Sequence, residues 1–113
     1  MSLVEVCKLV DVPSPGALGV VAQGVPVAVV RDGEGGVHAL RDVCSHADVA
    51  LSEGEVDGCT LECWLHGSRF DVRTGQPSGP PASTPVPVYL VSVEGEGDDA
   101  VVLVDVTVDA SAR

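Results

Sequence analysis

Two short stretches constrain this chain more than anything else in it: Cys44-Ser45-His46 and Cys63-Trp64-Leu65-His66. Each sets a thiol and an imidazole almost side by side, and 16 residues lie between the pairs. For the four side chains to act on one object, two loops must converge, so the intervening chain must fold back on itself. EVDGCTLEC, residues 55–63, predicts that reversal as a hairpin turning at Asp57-Gly58. A tetrahedral zinc site could use two thiols and two imidazoles. Zinc modules, however, generally keep like ligands together, as Cys-x2-4-Cys followed by His-x3-5-His, whereas here each loop mixes them.

The rest of the sequence supplies the frame for those loops. A chain of 113 residues is the size of one domain. Its hydrophobic content of 45% includes only 3% aromatic residues, so valine, leucine and alanine must fill the core, and valine at this density favours strands. Alternating or valine-rich runs at about 3–10, 18–22, 25–32 and 37–42 are separated by VPSPG, QGVP and DGEGG, whose glycines and prolines punctuate strands. VPVYLVSVEG and AVVLVDVTV read as a further hairpin around Gly95–Asp99. The expected fold is therefore all-β, an antiparallel sandwich or barrel. Residues 1–113 form one domain, in which the base (about 1–42 and 83–109) carries an insert at about 43–82. Within the insert, RFDVRTGQ predicts a second hairpin turning near Gly75, and SGPPASTP a proline-rich loop. Only Ala110–Arg113 reads as a tail.

Charge narrows the partners. With 17 acids against 6 Lys+Arg, the formal charge is -11, which opposes binding to nucleic acid or an anionic membrane and favours a basic protein partner. No basic leader followed by an apolar run opens the sequence, and no stretch approaches the ~20 apolar residues of a membrane span. The expectation is a cytoplasmic protein whose four cysteines are metal ligands or buried thiols rather than disulfides.

Mixed Cys-His pairs suit a binuclear cluster in which one iron takes both cysteines and the other both histidines. At these residues the sequence resembles the Rieske 2Fe-2S proteins, whose C-x-H and C-x2-H motifs have the same spacing. The flanks agree: HGSRFD is similar to that family's HG-S-x-F/Y-D, and SGPPA to its proline loop. The resemblance implies one 2Fe-2S cluster held by Cys44, His46, Cys63 and His66. Two thiolates and two neutral imidazoles leave such a site neutral when oxidised, so an added electron meets less repulsion than at a four-thiolate site. Rieske potentials accordingly span about -150 to +300 mV against about -400 mV for plant-type clusters. The resemblance also implies a potential that falls as pH rises into the alkaline range.

Around the ligands, Gly67 is expected to turn the backbone so that amides point at sulfur. Ser68 stands where respiratory members donate a hydroxyl to a bridging sulfide. Phe70 stands where they have a donating tyrosine, and Val49 and Leu65 where they have an extra disulfide, so a low or middle potential is expected. Trp64 and Leu65 either shield the cluster, form an apolar docking tip or simply pack. Pro80 and Pro81 would stiffen the loop beside the cluster. His38, in VHAL, reads as a structural strand residue, and Cys7 and Cys59 as small buried strand residues. From 42 to 75, seven acids (Asp42, Asp48, Glu53, Glu55, Asp57, Glu62, Asp71) oppose Arg69 and Arg73, a net -5 that could steer a basic partner.

No residue outside the four suggests a nucleophile, a general base or a mononuclear iron site, and no small-molecule substrate is expected. The resemblance points to an electron-transfer component rather than an enzyme. It implies a ferredoxin carrying electrons from a flavin reductase to a terminal ring-hydroxylating oxygenase. A second reading is the donor that accompanies a Suf-type iron-sulfur assembly system. Further alternatives are a module like the small subunit of nitrite reductase, and a structural zinc module.

Overall fold

The computed structural model describes residues 3–13, 15–33, 36–43, 49–64, 67–77 and 85–109, with the side chains of 108 and 109 left aside. Among the described residues nine strands are present: β1 (Val4–Lys8), β2 (Gly16–Ala22), β3 (Val25–Arg31), β4 (Val37–Arg41), β5 (Glu55–Asp57), β6 (Thr60–Glu62), β7 (Arg69–Asp71), β8 (Val88–Glu94) and β9 (Val101–Asp109). All their pairings are antiparallel. The all-β expectation holds.

Six strands form one sheet in the order β1-β9-β8-β4-β3-β2, which curls until its edge strands β1 and β2 meet, making it nearly a barrel. The other three form a small sheet, β5-β6-β7, that falls between β4 and β8 in the chain. This arrangement explains why β3 reads as an unbroken apolar run. Val27 and Val29 face the barrel interior with Ala39, Tyr89, Val102 and Val104. Ala28 and Val30 face the other way, under the small sheet, with Leu40 and Val88. Both faces are covered, so alternation disappears from the sequence.

The small sheet is held by one rung. Val56 pairs with Leu61 and Leu61 with Phe70, placing the central residue of each three-residue strand in a row. That row packs on the barrel's outer face together with Leu51, Val72 and Val86. Burying side chains such as Phe70, Leu61 and Leu51 contributes roughly 1.5–3 kcal/mol each. At the far side of the sheet, the Gly33 amide donates to the Gly58 carbonyl at 3.2 Å, tying the β5–β6 turn to the β3–β4 turn.

Some local expectations shift. β1 stops at Lys8, because Leu9–Asp11 tightens into a 3-10 turn in which the Lys8 amide donates to the Asp11 carboxylate. The predicted RFDVRTGQ hairpin is reduced to β7, a tight turn closed by Gly75 N–H on the Asp71 carbonyl, and a single bridge from Phe70 to Pro77. Cys59 sits in the β5–β6 turn and is half-buried, where a buried strand residue was expected. The proline loop from Ser78 to Thr84 and the tail after Asp109 lie outside the described residues.

Candidate metal centre

Of the four nominated ligands, Cys63 is described, while Cys44, His46 and His66 lie outside the described residues, as do Leu65, Pro80 and Pro81. Cys63 follows β6 directly and is fully buried, with a free thiol. Its amide donates to the Ser68 carbonyl at 2.6 Å, and its carbonyl accepts from the Gly67 amide at 2.9 Å. Cys63 and Ser68 are thereby held against each other between β6 and β7. Gly67 has φ +76°, the left-handed region that a residue without Cβ enters at no steric cost.

The remaining neighbours separate by depth. Ser68 and Phe70 are buried, and Phe70 belongs to the same apolar cluster as Cys63. Trp64 is 51% exposed and so takes no part in that core. Val49 packs partly against the cluster. Among the described residues no three His, Cys, Asp or Glu side chains gather into a metal site. The one described candidate fits a metal-sulfur bond on its own chemistry: its peptide groups are satisfied, its thiol is not in a disulfide, and its surroundings are apolar.

The structure explains Cys7 and the third histidine differently. Burial, and then the Asp11 carboxylate, push the Cys7 thiol up, which disfavours the reactive thiolate. His38 lies in β4, and its Nε2 is 2.8 Å from Oδ2 of the buried Asp32, whose Oδ1 accepts from the Gly36 amide at 2.8 Å. That geometry is a structural clasp on the β3–β4 turn.

The acidic stretch changes most. Asp42 is only 8% exposed, so it is not part of the solvated charge the sequence suggested. Its two carboxylate oxygens accept from the Ser52 amide and hydroxyl, each at 2.6 Å. Arg69 lies 3.0 Å from Glu62 and 3.8 Å from Asp57, and Arg73 lies 2.9 Å from Asp71. The hydrogen bond from Arg73, with its nearby charge, holds the Asp71 carboxyl below the ordinary range against the opposing effect of burial. Nothing in the sequence distinguishes Asp42 from the exposed acids around it, because its partner is ten residues away across a loop.

Comparison with known proteins agrees with this fold. Residues 2–90 match the Rieske [2Fe-2S] domain family, and the chain belongs to it. A domain of this family carries a Rieske-type 2Fe-2S cluster. Among curated proteins, the biphenyl 2,3-dioxygenase ferredoxin component of Rhodococcus jostii (strain RHA1) is 40% identical over 96 residues, covering 85% of this chain and 89% of its own. The solved ferredoxin of carbazole 1,9a-dioxygenase from Nocardioides aromaticivorans IC177 is 35% identical with a TM-score of 0.79, covering 91% of this chain and 97% of its own. A complex of reduced oxygenase and oxidised ferredoxin in carbazole 1,9a-dioxygenase contains a chain 35% identical to this one, with a TM-score of 0.75 over 90% of this chain and 91% of that one.

Proposed function

We propose that this protein is a one-electron carrier, the ferredoxin component of a ring-hydroxylating dioxygenase system. It would take electrons from a flavin reductase and deliver them to a terminal non-heme iron oxygenase, both presenting basic surfaces. The observation that carries this reading is the similarity, over 85% of this chain and 89% of the relative, to a dioxygenase ferredoxin component within the Rieske family. The cluster-assembly reading shares the chemistry and differs only in partner, and the relatives favour the oxygenase.

Cys44 and Cys63 would hold one iron and His46 and His66 the other, within an insert at about 43–82. When bound, such a cluster accepts and releases a single electron. The chain's own contribution is placement: the end of β6 presents Cys63 from a buried position, and the exposed Trp64 beside it offers apolar surface. No helix among the described residues is long and apolar enough to cross a membrane.

The test is iron analysis and low-temperature electron paramagnetic resonance on anaerobically purified, dithionite-reduced protein. Two irons per chain and a rhombic signal with average g below the free-electron value are expected. The signal should be lost in His46→Ala and in His66→Ala. One zinc per chain and no reducible cluster would overturn the reading.

A further inference from the structure

Asp42 directly follows β4, two residues before Cys44, and its main chain is fixed on both sides. Its amide donates to the Pro26 carbonyl at 3.0 Å, and the preceding Arg41 amide to the Pro87 carbonyl at 3.0 Å. From that anchored position the side chain reaches Ser52, giving one oxygen to the amide and the other to the hydroxyl, both at 2.6 Å. The pair lies directly on β2. A Cβ on Gly19 would stand 2.7 Å from the Ser52 hydroxyl and 2.8 Å from Asp42 Oδ2, so only glycine leaves room for it.

Ser52 belongs to the short 3-10 turn Leu51–Glu53, which touches the second loop as well. Leu51 is buried in the same cluster as Cys63 and Phe70. Gly54, whose amide donates to the Leu51 carbonyl at 2.9 Å, lies so close against the Glu62 carbonyl that a Cβ there would collide with it. Glu62 is the residue before Cys63. A continuous set of contacts therefore runs from Asp42, two residues before Cys44, through Ser52 and the 51–53 turn to the residue that precedes Cys63.

We propose that the Asp42–Ser52 pair, seated on Gly19, is a clamp that fixes the two Cys-His loops relative to each other, and that Asp42 is a positioning residue for the metal centre. The proposal rests on the ligand assignment above. A carboxylate is suited to the task because it offers two acceptors, spaced for an adjacent N–H and O–H. Releasing it frees the base of the first loop and the seat of the turn that packs on the second.

The test compares holoprotein variants by iron release to excess chelator, by the shape of the reduced paramagnetic signal and by the urea unfolding midpoint. Ser52→Ala, which removes one bond, should release iron about threefold faster, and Asp42→Ala, which removes both and orphans the Ser52 amide, about tenfold or more. Asp42→Asn can still accept from the amide and donate to the hydroxyl, so it should stay within about twofold of the parent. The signal should broaden in the same order. Asp32→Ala is the control: it removes a buried acid that clasps the other end of the barrel, and should lower the urea midpoint without accelerating iron release.

Asp42→Ala and Ser52→Ala holding iron at the parent rate with the parent signal would overturn the clamp. Equal acceleration by Asp32→Ala would also overturn it, reducing the effect to global stability. A parent protein without the histidine-ligated signal sinks the ligand assignment and the clamp together, and is recognised before any variant is compared.

Discussion

Ser68 is buried, its carbonyl accepts from the Cys63 amide, and its side chain is the hydroxyl nearest in sequence to the proposed ligands Cys63 and His66. A donor there would stabilise the more negative reduced state, so Ser68→Ala should lower the potential. A bond worth ~1–1.5 kcal/mol corresponds to about 40–65 mV for one electron, readable by a redox titration followed by circular dichroism. A potential unmoved by the substitution would mean that the hydroxyl bonds elsewhere. Asp71 makes a different statement, about acid stability. Its folded pKa is held below the unfolded value by Arg73, so the pair's stabilisation is present above the unfolded value of about 3.9 and is lost as pH falls through the lower folded value. Because both groups are partly exposed, Arg73→Gln should cost only about 0.5 kcal/mol at neutral pH. Urea midpoints at neutral and acidic pH should then converge between variant and parent. A constant offset across the whole range would show that Arg73 acts by packing rather than by charge.

The strands of the small sheet are each three residues long and carry one inward side chain apiece, so Leu61, paired on both sides, holds the element together. Leu61→Ala should destabilise the protein by about 2–4 kcal/mol, because the cavity lies under a sheet whose other two inward residues cannot close over it. The same variant should lose iron faster than Val102→Ala, which opens a cavity in the barrel interior instead. Similar iron loss from both would mean that the small sheet has no separate influence on the centre. This element also shows what a sequence conveys. The β5–β6 hairpin was legible because Asp57-Gly58 is a local turn signal, and β3, β8 and β9 were legible because long valine runs need no partner to declare themselves. The RFDVRTGQ turn was over-read as a hairpin, since a glycine signals a reversal but not how many residues pair beyond it. The Asp42–Ser52 contact was invisible for the opposite reason: it is made by tertiary geometry between two residues that are ordinary in their own neighbourhoods. The paired Cys-His motif was legible from spacing and flanks through its resemblance to a known family, whereas the full burial of Cys63 came only from the fold.

At the scale of the molecule, the formal charge of -11 says little until it is placed. Among the acids of the 42–75 stretch, Asp42 is buried and Asp57, Glu62 and Asp71 are bridged to arginines, leaving Glu53 and Glu55 as its exposed acids without an ion pair among the described residues. A second group, Glu94, Glu96, Asp98 and Asp99, is exposed on the β8–β9 hairpin. β8 enters at Val88 beside Leu40 and leaves at Glu94 beside Val101, so its seven residues carry that hairpin tip roughly 20 Å from the β4 pairing. That is more than two Debye lengths at 0.15 M salt, where the length is about 8 Å, but within one at 0.01 M, where it is about 30 Å. The two groups should therefore steer a basic partner at different salt concentrations. At 0.15 M, Glu53→Gln with Glu55→Gln should slow association with the oxygenase or reductase about two- to threefold, while neutralising all four hairpin acids should do less, despite removing twice the charge. Lowering the salt to 0.01 M should restore an effect of the hairpin set. Stopped-flow electron transfer under pseudo-first-order conditions reads both rates. If the hairpin variant were the slower one at 0.15 M, the partner would be approaching the end of the barrel opposite the β4 pairing, and electron delivery through the Cys-His loops would lose its electrostatic support.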